Sequence, residues 1–311
     1  MKEFKKSTAF SNINKEKEKH THSIEPGGEP IEWQPIHSEE ELHLAAKAGG
    51  SYYLAKDIDL TRVLDIIENM NLCLNDKVLK QTNSYRNVIY IGEDVIFNLC
   101  DCSGDKGTTR YWDKASDGSW ELKTDNSTSE YMTVGGVIVG GYSTYCGGVF
   151  NYGTFTMYGG NITGNSAMNS GGGVYNCRIF IMAGGSITGN SAEHGGGVYN
   201  GYTFTMNGGE ITGNGARFNG GGVYNDGPLT MYGGSISGNK VRGSGGGVYN
   251  NNTDSTFTMY NGGITGNDAY VGGGMYNYNG TFTLNGGSIT RNSGKDGDDI
   301  YNERTDNNDN L

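Results

Sequence analysis

Three groups of residues have the types and spacing that chemistry needs. The first is sulfur. Cys73, Cys100, Cys102, Cys146 and Cys177 make an odd set in a chain of 311 residues, too sparse for a disulfide scaffold. Cys100-x-Cys102 lacks the two-residue gap of common zinc knuckles, and no second pair follows. The cysteines therefore read as structural, and no metal, cofactor or catalytic residue is assigned. The second group is carboxylate. Asp105, Arg110, Trp112, Asp113 and Trp120 fall in one irregular stretch. Such a set suits a carbohydrate-active site, where paired acids cleave a glycosidic bond or a base abstracts a proton. Asp296, Asp298 and Asp299 in "GKDGDDIYN" could hold one calcium ion, although a solvated polar end that stops further stacking is the preferred reading. The third group is aromatic. Phe150, Tyr175, Tyr199, Tyr224, Tyr249, Tyr276 and Tyr301 recur at one place in a repeating phrase, and aromatic rings stack on sugars or anchor protein partners.

Phosphate chemistry is excluded by sequence. The glycine runs read "GxGxxN" rather than GxGxxG, no strand-helix unit surrounds them, and "SGKD" is not a P-loop. A calcium nonapeptide array needs an acidic residue at a fixed place in every turn, and none recurs here.

The elements that must position these groups come from the repeat itself. Aligned on the apolar residue of "GGVYN", the phrase recurs at Val149, Val174, Val198, Val223, Val248, Met275 and Ile300, a period of about 25 residues. Each unit holds three short β-like runs, "GVYN", "TFTM" and "SITGN", too short for helices and without a 3.6-residue period. Three short strands per coil of about 25 residues predict an all-β, right-handed parallel β-helix, since parallel crossovers are right-handed. Alternation then gives four inward columns. They are the Val/Met/Ile set above, a Phe column from Phe155 to Phe282, a Met column from Met157 to Leu284, and an Ile column from Ile162 to Ile289. Two Asn columns, Asn151 to Asn302 and Asn165 to Asn292, are expected to bond their own copies one coil away. A narrow cylinder of this kind explains how 34% hydrophobic residues suffice.

Stacking also tests the coils for an active site. Glu210 falls between Ser186 and Ser235, and Asp226 shares a column with Tyr152, Cys177 and Gly201. No two carboxylates meet in one column on adjacent coils. Glu193 and Arg217 are expected to form a surface ion pair across neighbouring corners. His194 has no nucleophile beside it by motif. The outward Tyr strip is about 30 Å long. Tyr175, Tyr199, Tyr224, Tyr249 and Tyr276 are the candidate ligand-binding residues, with mutual packing as the bland alternative. A second outward ladder, the Thr pairs flanking the inward Phe, resembles an ice-binding face but is interrupted by Ile179, Ile181 and Pro228.

Along the chain, residues 1–30 read as a disordered polar tail, with no apolar stretch that would serve as a secretory signal. Residues 31–130 read as a cap helix, entry coils and a long loop over 103–130. Ser38 is the expected N-cap with Glu41 closing a capping box, and Gly49 and Gly50 end the helix. Residues 131–302 are regular coils and 303–311 a polar tail. A net charge of −11 without a basic stripe excludes nucleic acid, and no apolar run is long enough to span a bilayer.

The repeated "GGGVYNxGTFTMNGGxITGN" units resemble the β-helix repeats of bacterial adhesin-like surface proteins and are similar to the "GGA/FxxN" repeats of polymorphic outer-membrane proteins. "NLCLNDKVL" and "LCDCSG" look like the entry coils that precede such repeats. The resemblance implies a pectin-lyase-like fold, an extracellular or cell-surface location, and no enzymatic residues. The expected function is a non-enzymatic rod that binds glycan or a cell-surface protein through its Tyr and Thr ladders. A carbohydrate-active site near 103–130 is the alternative, ice binding a minor one, and end-to-end self-association is compatible with an open last coil.

Overall fold

A computed structural model describes residues 20–25, 27–114, 120–123 and 131–303. Three long parallel ladders wrap one core. The TFTM-type strands form a ladder running from Gln34–Ile36 to Thr281–Leu284, the SIT-type strands one from Ile58–Leu60 to Ser288–Thr290, and the VYN-type strands one from Leu64–Ile66 to Ile300–Glu303. Like residues stand in register: Val174 beside Val198, Phe180 beside Phe204, Ile187 beside Ile211. This is the parallel β-helix that the period predicts. A fourth, short ladder joins the three from Tyr142–Ser143 to Ser293–Asp296. It closes the corner between "ITGN" and "GGG".

The inward columns are the expected ones. Val198, Phe204 and Met206 have no exposed surface, and the core is continuous from Ile36 to Ile289. Phe180 and Phe204 stack with centroids 4.6 Å apart and planes 12° from parallel. Both Asn columns are hydrogen-bonded ladders. Asn176 Nδ2 donates to Asn200 Oδ1 at 2.8 Å, and Asn200 Nδ2 to Asn225 Oδ1 at 2.7 Å. In the other column each Asn backbone N–H also donates to the next Asn Oδ1, as Asn190 does to Asn214 at 3.0 Å. Corner amides that would otherwise lie buried without partners are thus satisfied by side chains.

Helix Glu39–Ala48 closes the first turns by burying Leu42, Ala45 and Ala46 against the core. Glu41 N–H donates to Ser38 Oγ at 3.1 Å, and Glu41 Oε2 accepts from His37 N–H at 2.6 Å, so the capping box closes one residue further out than its usual form.

Four boundaries differ from the sequence reading. Residues 20–30 are not all tail: Thr21–His22 pairs antiparallel with Ile31–Glu32, because His22 and Trp33 stack and Trp33 is buried. Residues 1–19 lie outside the described residues. The segment read as a long loop over 103–130 contains strands Thr109–Lys114 and Trp120–Leu122, which form a three-stranded antiparallel sheet with Tyr131–Val134. Tyr131–Val134 therefore belongs to this excursion, and the coil resumes at Val137–Val139. Glu303 ends the last strand, and the rest of the 303–311 tail is outside the described residues.

The excursion leaves the helix at the corner where other coils carry a Gly-Gly pair. Its neck is tight. A Cβ on Gly107 would lie 2.5 Å from Gly135 Cα, so the two backbones can pass only where neither has a side chain. Asp101 ties the neck by accepting from Asp76 N–H and Gly136 N–H, both at 2.8 Å.

Candidate functional site

Of the residues expected to form a carbohydrate-active site, Arg110, Trp112 and Asp113 hold the excursion together. Trp112 is buried with Val78, Val137 and Val139, and its Nε1 donates to Thr133 Oγ1 at 2.9 Å. Arg110 is buried and donates to Asp76 Oδ1 at 3.1 Å, to Asp76 O at 2.6 Å and to Gly135 O at 2.5 Å. Burial pulls the Asp76 carboxyl upward. Hydrogen bonds from Thr108 and Arg110 outweigh that effect and hold it below the usual carboxylate range. Asp113 pairs with Lys123. The side chains of Asp105 and Trp120 lie outside the described residues. The excursion thus covers an apolar outer patch of the SIT ladder.

At the C-terminal end, the three aspartates have divided roles. Asp299 Oδ1 accepts from Asn292 N–H and Nδ2 at 3.0 Å, taking the place of the next Asn in the ladder. Asp298 Oδ1 accepts from Gly294 N–H at 3.0 Å. Two of the three carboxylates are ladder and strand caps.

The tyrosine strip stands outside the core, as alternation requires. Its rings are not open faces, however. Tyr175, Tyr199, Tyr224, Tyr249, Tyr276 and Tyr301 stack in sequence with centroids 4.6 to 5.3 Å apart and planes within 13° of parallel. Tyr249 and Tyr276 are each only 7% exposed. Tyr199 Oη donates to Asp226 Oδ2. Burial, then this hydrogen bond, push the Tyr199 phenol far above its ordinary value, and burial followed by nearby groups brings Tyr175 to about 12. The ring faces are therefore spent on one another, and the edges form the floor of a strip beside the fourth ladder. The rim comes from that ladder and the turn after its first strand: Tyr145, in the turn, meets Tyr175 edge-on at 6.5 Å, and His194 meets Tyr224 at 5.2 Å and Phe218 at 5.6 Å. Arg217 lies over the Phe218 ring at 4.9 Å and, as expected, reaches Glu193 at 3.5 Å. On the opposite flank, Ile179 and Ile181 stand in register with Thr154 and Thr156, breaking the Thr array.

One constellation was missed in the sequence. The N-terminal hairpin brings His20 and His22 to Cys73 and Cys102, with one ligand atom of each within 4.8 Å of every other. The entry coils explain how. In Met70–Cys73 and Ile96–Cys100, Met70, Leu72, Phe97 and Leu99 point inward, so Cys73 and Cys100 point out, paired in register. Tyr53 and Tyr158 extend that outward column, and Trp33 covers it. His20 stacks on Tyr53 at 4.0 Å and His22 on Trp33 at 4.4 Å. Cys102 Sγ lies 3.6 Å from His20 Nε2 and 3.3 Å from Asn75 Oδ1. Burial, then the neighbouring His22, lower the His20 pKa, while hydrogen bonding with Cys100 and burial raise the Cys73 thiol. The available signals were "HTH" in the polar tail and a cysteine spacing of one coil. Neither is informative until the tail is known to fold back.

No family model, curated protein or solved structure matches the chain. Among the described residues, no helix is long and apolar enough to cross a membrane. The β-solenoid rests on its own register and burial.

Proposed function

We propose that this chain is a non-enzymatic, adhesin-like β-solenoid, displayed at a cell surface or secreted, that holds an extended glycan along the strip between the tyrosine ladder and the fourth ladder. One observation carries the reading. The core and Asn columns repeat one residue type from coil to coil, whereas the fourth ladder changes at each step: Ser191–His194, Gly215–Asn219, Lys240–Val241, Asp268–Val271. In repeat proteins the positions that vary between otherwise identical units are those free of stacking constraints, and they commonly form the binding face. Phe218 and Tyr270 are 42% and 51% exposed there, each with a cation against its ring. Exposed aromatic faces suit sugar rings, and a regularly spaced strip suits a polymer bound through many weak contacts. Tyr175, Tyr199, Tyr224, Tyr249 and Tyr276 contribute as a rigid floor rather than as open stacking platforms.

A glycan array tests this with two double variants, Phe218→Ser with Tyr270→Ser and Tyr199→Ser with Tyr224→Ser. The rim variant is expected to lose at least about tenfold in affinity while keeping its stability. Glycan binding that survives the rim variant, or a protein bound in place of any glycan, would refute the assignment. Release of reducing ends from a bound glycan would refute the non-enzymatic part.

A further inference from the structure

We propose that His20, His22, Cys73 and Cys102 bind one zinc ion, which clamps the N-terminal hairpin onto the entry coils. Two thiolates and two imidazoles are a donor set for tetrahedral zinc. Zinc bonds of about 2.0–2.3 Å place tetrahedral donors roughly 3.3–3.8 Å apart. The contact between Cys102 Sγ and His20 Nε2 is already 3.6 Å, and all four donors lie within 4.8 Å. Closing the set needs only small side-chain rotations.

A second observation points into the same space. His22 Nδ1 lies 2.7 Å from Ser23 O, so a proton there is held by a carbonyl. This is the partner that fixes a metal-binding imidazole with its other nitrogen free. That other nitrogen, His22 Nε2, is buried and has no hydrogen-bond partner. A buried polar atom without a partner is destabilising, and a metal bond would remove the cost. The ring planes are fixed as well, His20 against Tyr53 and His22 against Trp33. Trp33 further pins the strand, its N–H donating to His20 O and its Nε1 to His22 O, both at 3.0 Å. Cys73 is fully buried and Cys102 reaches solvent, so the site has one closed side and one side through which an ion enters. Cys100 lies beside Cys73 but outside the set of four.

The chemistry conserves charge simply. Zinc enters as the hydrated dication, two thiol protons leave to solvent, and the two imidazoles bind neutral. The clamp joins His20 to Cys102, 82 residues apart in the chain, so zinc stabilises the hairpin without touching the repeats.

The test uses the full chain, purified under a phosphine reductant, stripped with a chelator and titrated with zinc or cobalt(II). About one zinc per chain is expected, and the cobalt form should show intense tetrahedral d–d bands with thiolate-to-cobalt charge transfer. Cys102→Ser and His22→Ala should each weaken zinc by more than about tenfold, whereas Cys177→Ser and Cys100→Ser should retain it. Failure of the reduced chain to bind zinc, an octahedral cobalt spectrum, or loss of zinc in Cys100→Ser but not in Cys102→Ser would overturn the assignment. Because the cobalt spectrum is read on the unaltered chain, a variant that fails to fold does not blunt the test.

Discussion

The coils from Val149 onward and the entry region from His20 to Val134 solve the same packing problem by opposite means. In the coils the core, Asn and Tyr columns are held by copies of themselves: Phe on Phe, Asn on Asn, Tyr on Tyr. The entry region adds contacts that occur once: His22 on Trp33, Arg110 on Asp76, Trp112 on Val137. Repetition yields a rod that any neighbouring coil can support. Single contacts give local devices, among them a carboxylate clamp and a His/Cys cluster. The lesson is that chemistry in this molecule should be sought where the repeat is broken or covered, and that substitutions in the two regions should differ in reach.

The largest contrast is expected at glycine. A Cβ at Gly196 would sit 2.3 Å from Gly215 O in the next coil, whereas one at Gly215 would meet nothing closer than Lys240 O at 4.0 Å. Gly196→Ala should cost more than about 4 kcal/mol or prevent folding, and Gly215→Ala should stay within about 1 kcal/mol of the parent. Urea midpoints read both. If both substitutions prove equally mild, the coils are not stacked as tightly as described.

Asparagine gives the next contrast. Asn214 Oδ1 accepts from Asn190 N–H and Nδ2 at 3.0 Å, while its own Nδ2 donates to Ile187 O at 2.9 Å and Asn239 Oδ1 at 3.0 Å. Asn214→Ala strands several buried groups at once and should cost about 3–5 kcal/mol. Asn98 lies on the outer face of an entry coil and its Nδ2 donates to Asn71 Oδ1. Asn98→Ala should cost only about 0.5–1.5 kcal/mol, as for a typical hydrogen bond.

The same division decides what the sequence reveals. Val198, Phe204, Met206 and Ile211 are legible because the neighbouring coils write the same or a similar apolar letter at the same place, and Ser38 because a cap is a local signal. Thr109–Lys114, Trp120–Leu122 and Tyr131–Val134 pair only among themselves, and antiparallel partners that occur once leave no period. The fourth ladder was missed because its residues vary and its strands are as short as two residues. The role of Asp299 follows from the Asn column only when the column is continued one step past Asn292. His20 and His22 are placed by Trp33 and Tyr53, contacts that no spacing encodes.

Acid should separate the regions further. The Asp76 pKa is depressed in the folded chain, so its contribution is present above the unfolded value of about 3.9 and is lost as pH falls through the lower folded value. Hydrogen exchange over Thr109–Lys114 should therefore accelerate at low pH before exchange in the TFTM strands does. Asp76→Asn should remove that acid dependence. Simultaneous acceleration in both regions would mean that the excursion is not separately anchored.

The smallest effect is expected in alkali. Tyr175 and Tyr249 are each pushed up to about 12, chiefly by burial. Their contribution is full below the unfolded phenol value of about 10 and is lost as pH rises through 12. Tyr175→Phe should reduce the alkaline loss of stability, measured as the urea midpoint against pH. An unchanged profile would show that the ladder hydroxyls are freely solvated.

Hydrogen exchange with and without zinc, followed by mass spectrometry along the whole chain, tests the division between scaffold and device most directly. Zinc should slow exchange in the 20–33 hairpin and around Cys102, and leave the strands from Val149–Asn151 to Ser288–Thr290 unchanged. Protection that spreads through the coils, or that fails to appear at the hairpin, would contradict the account.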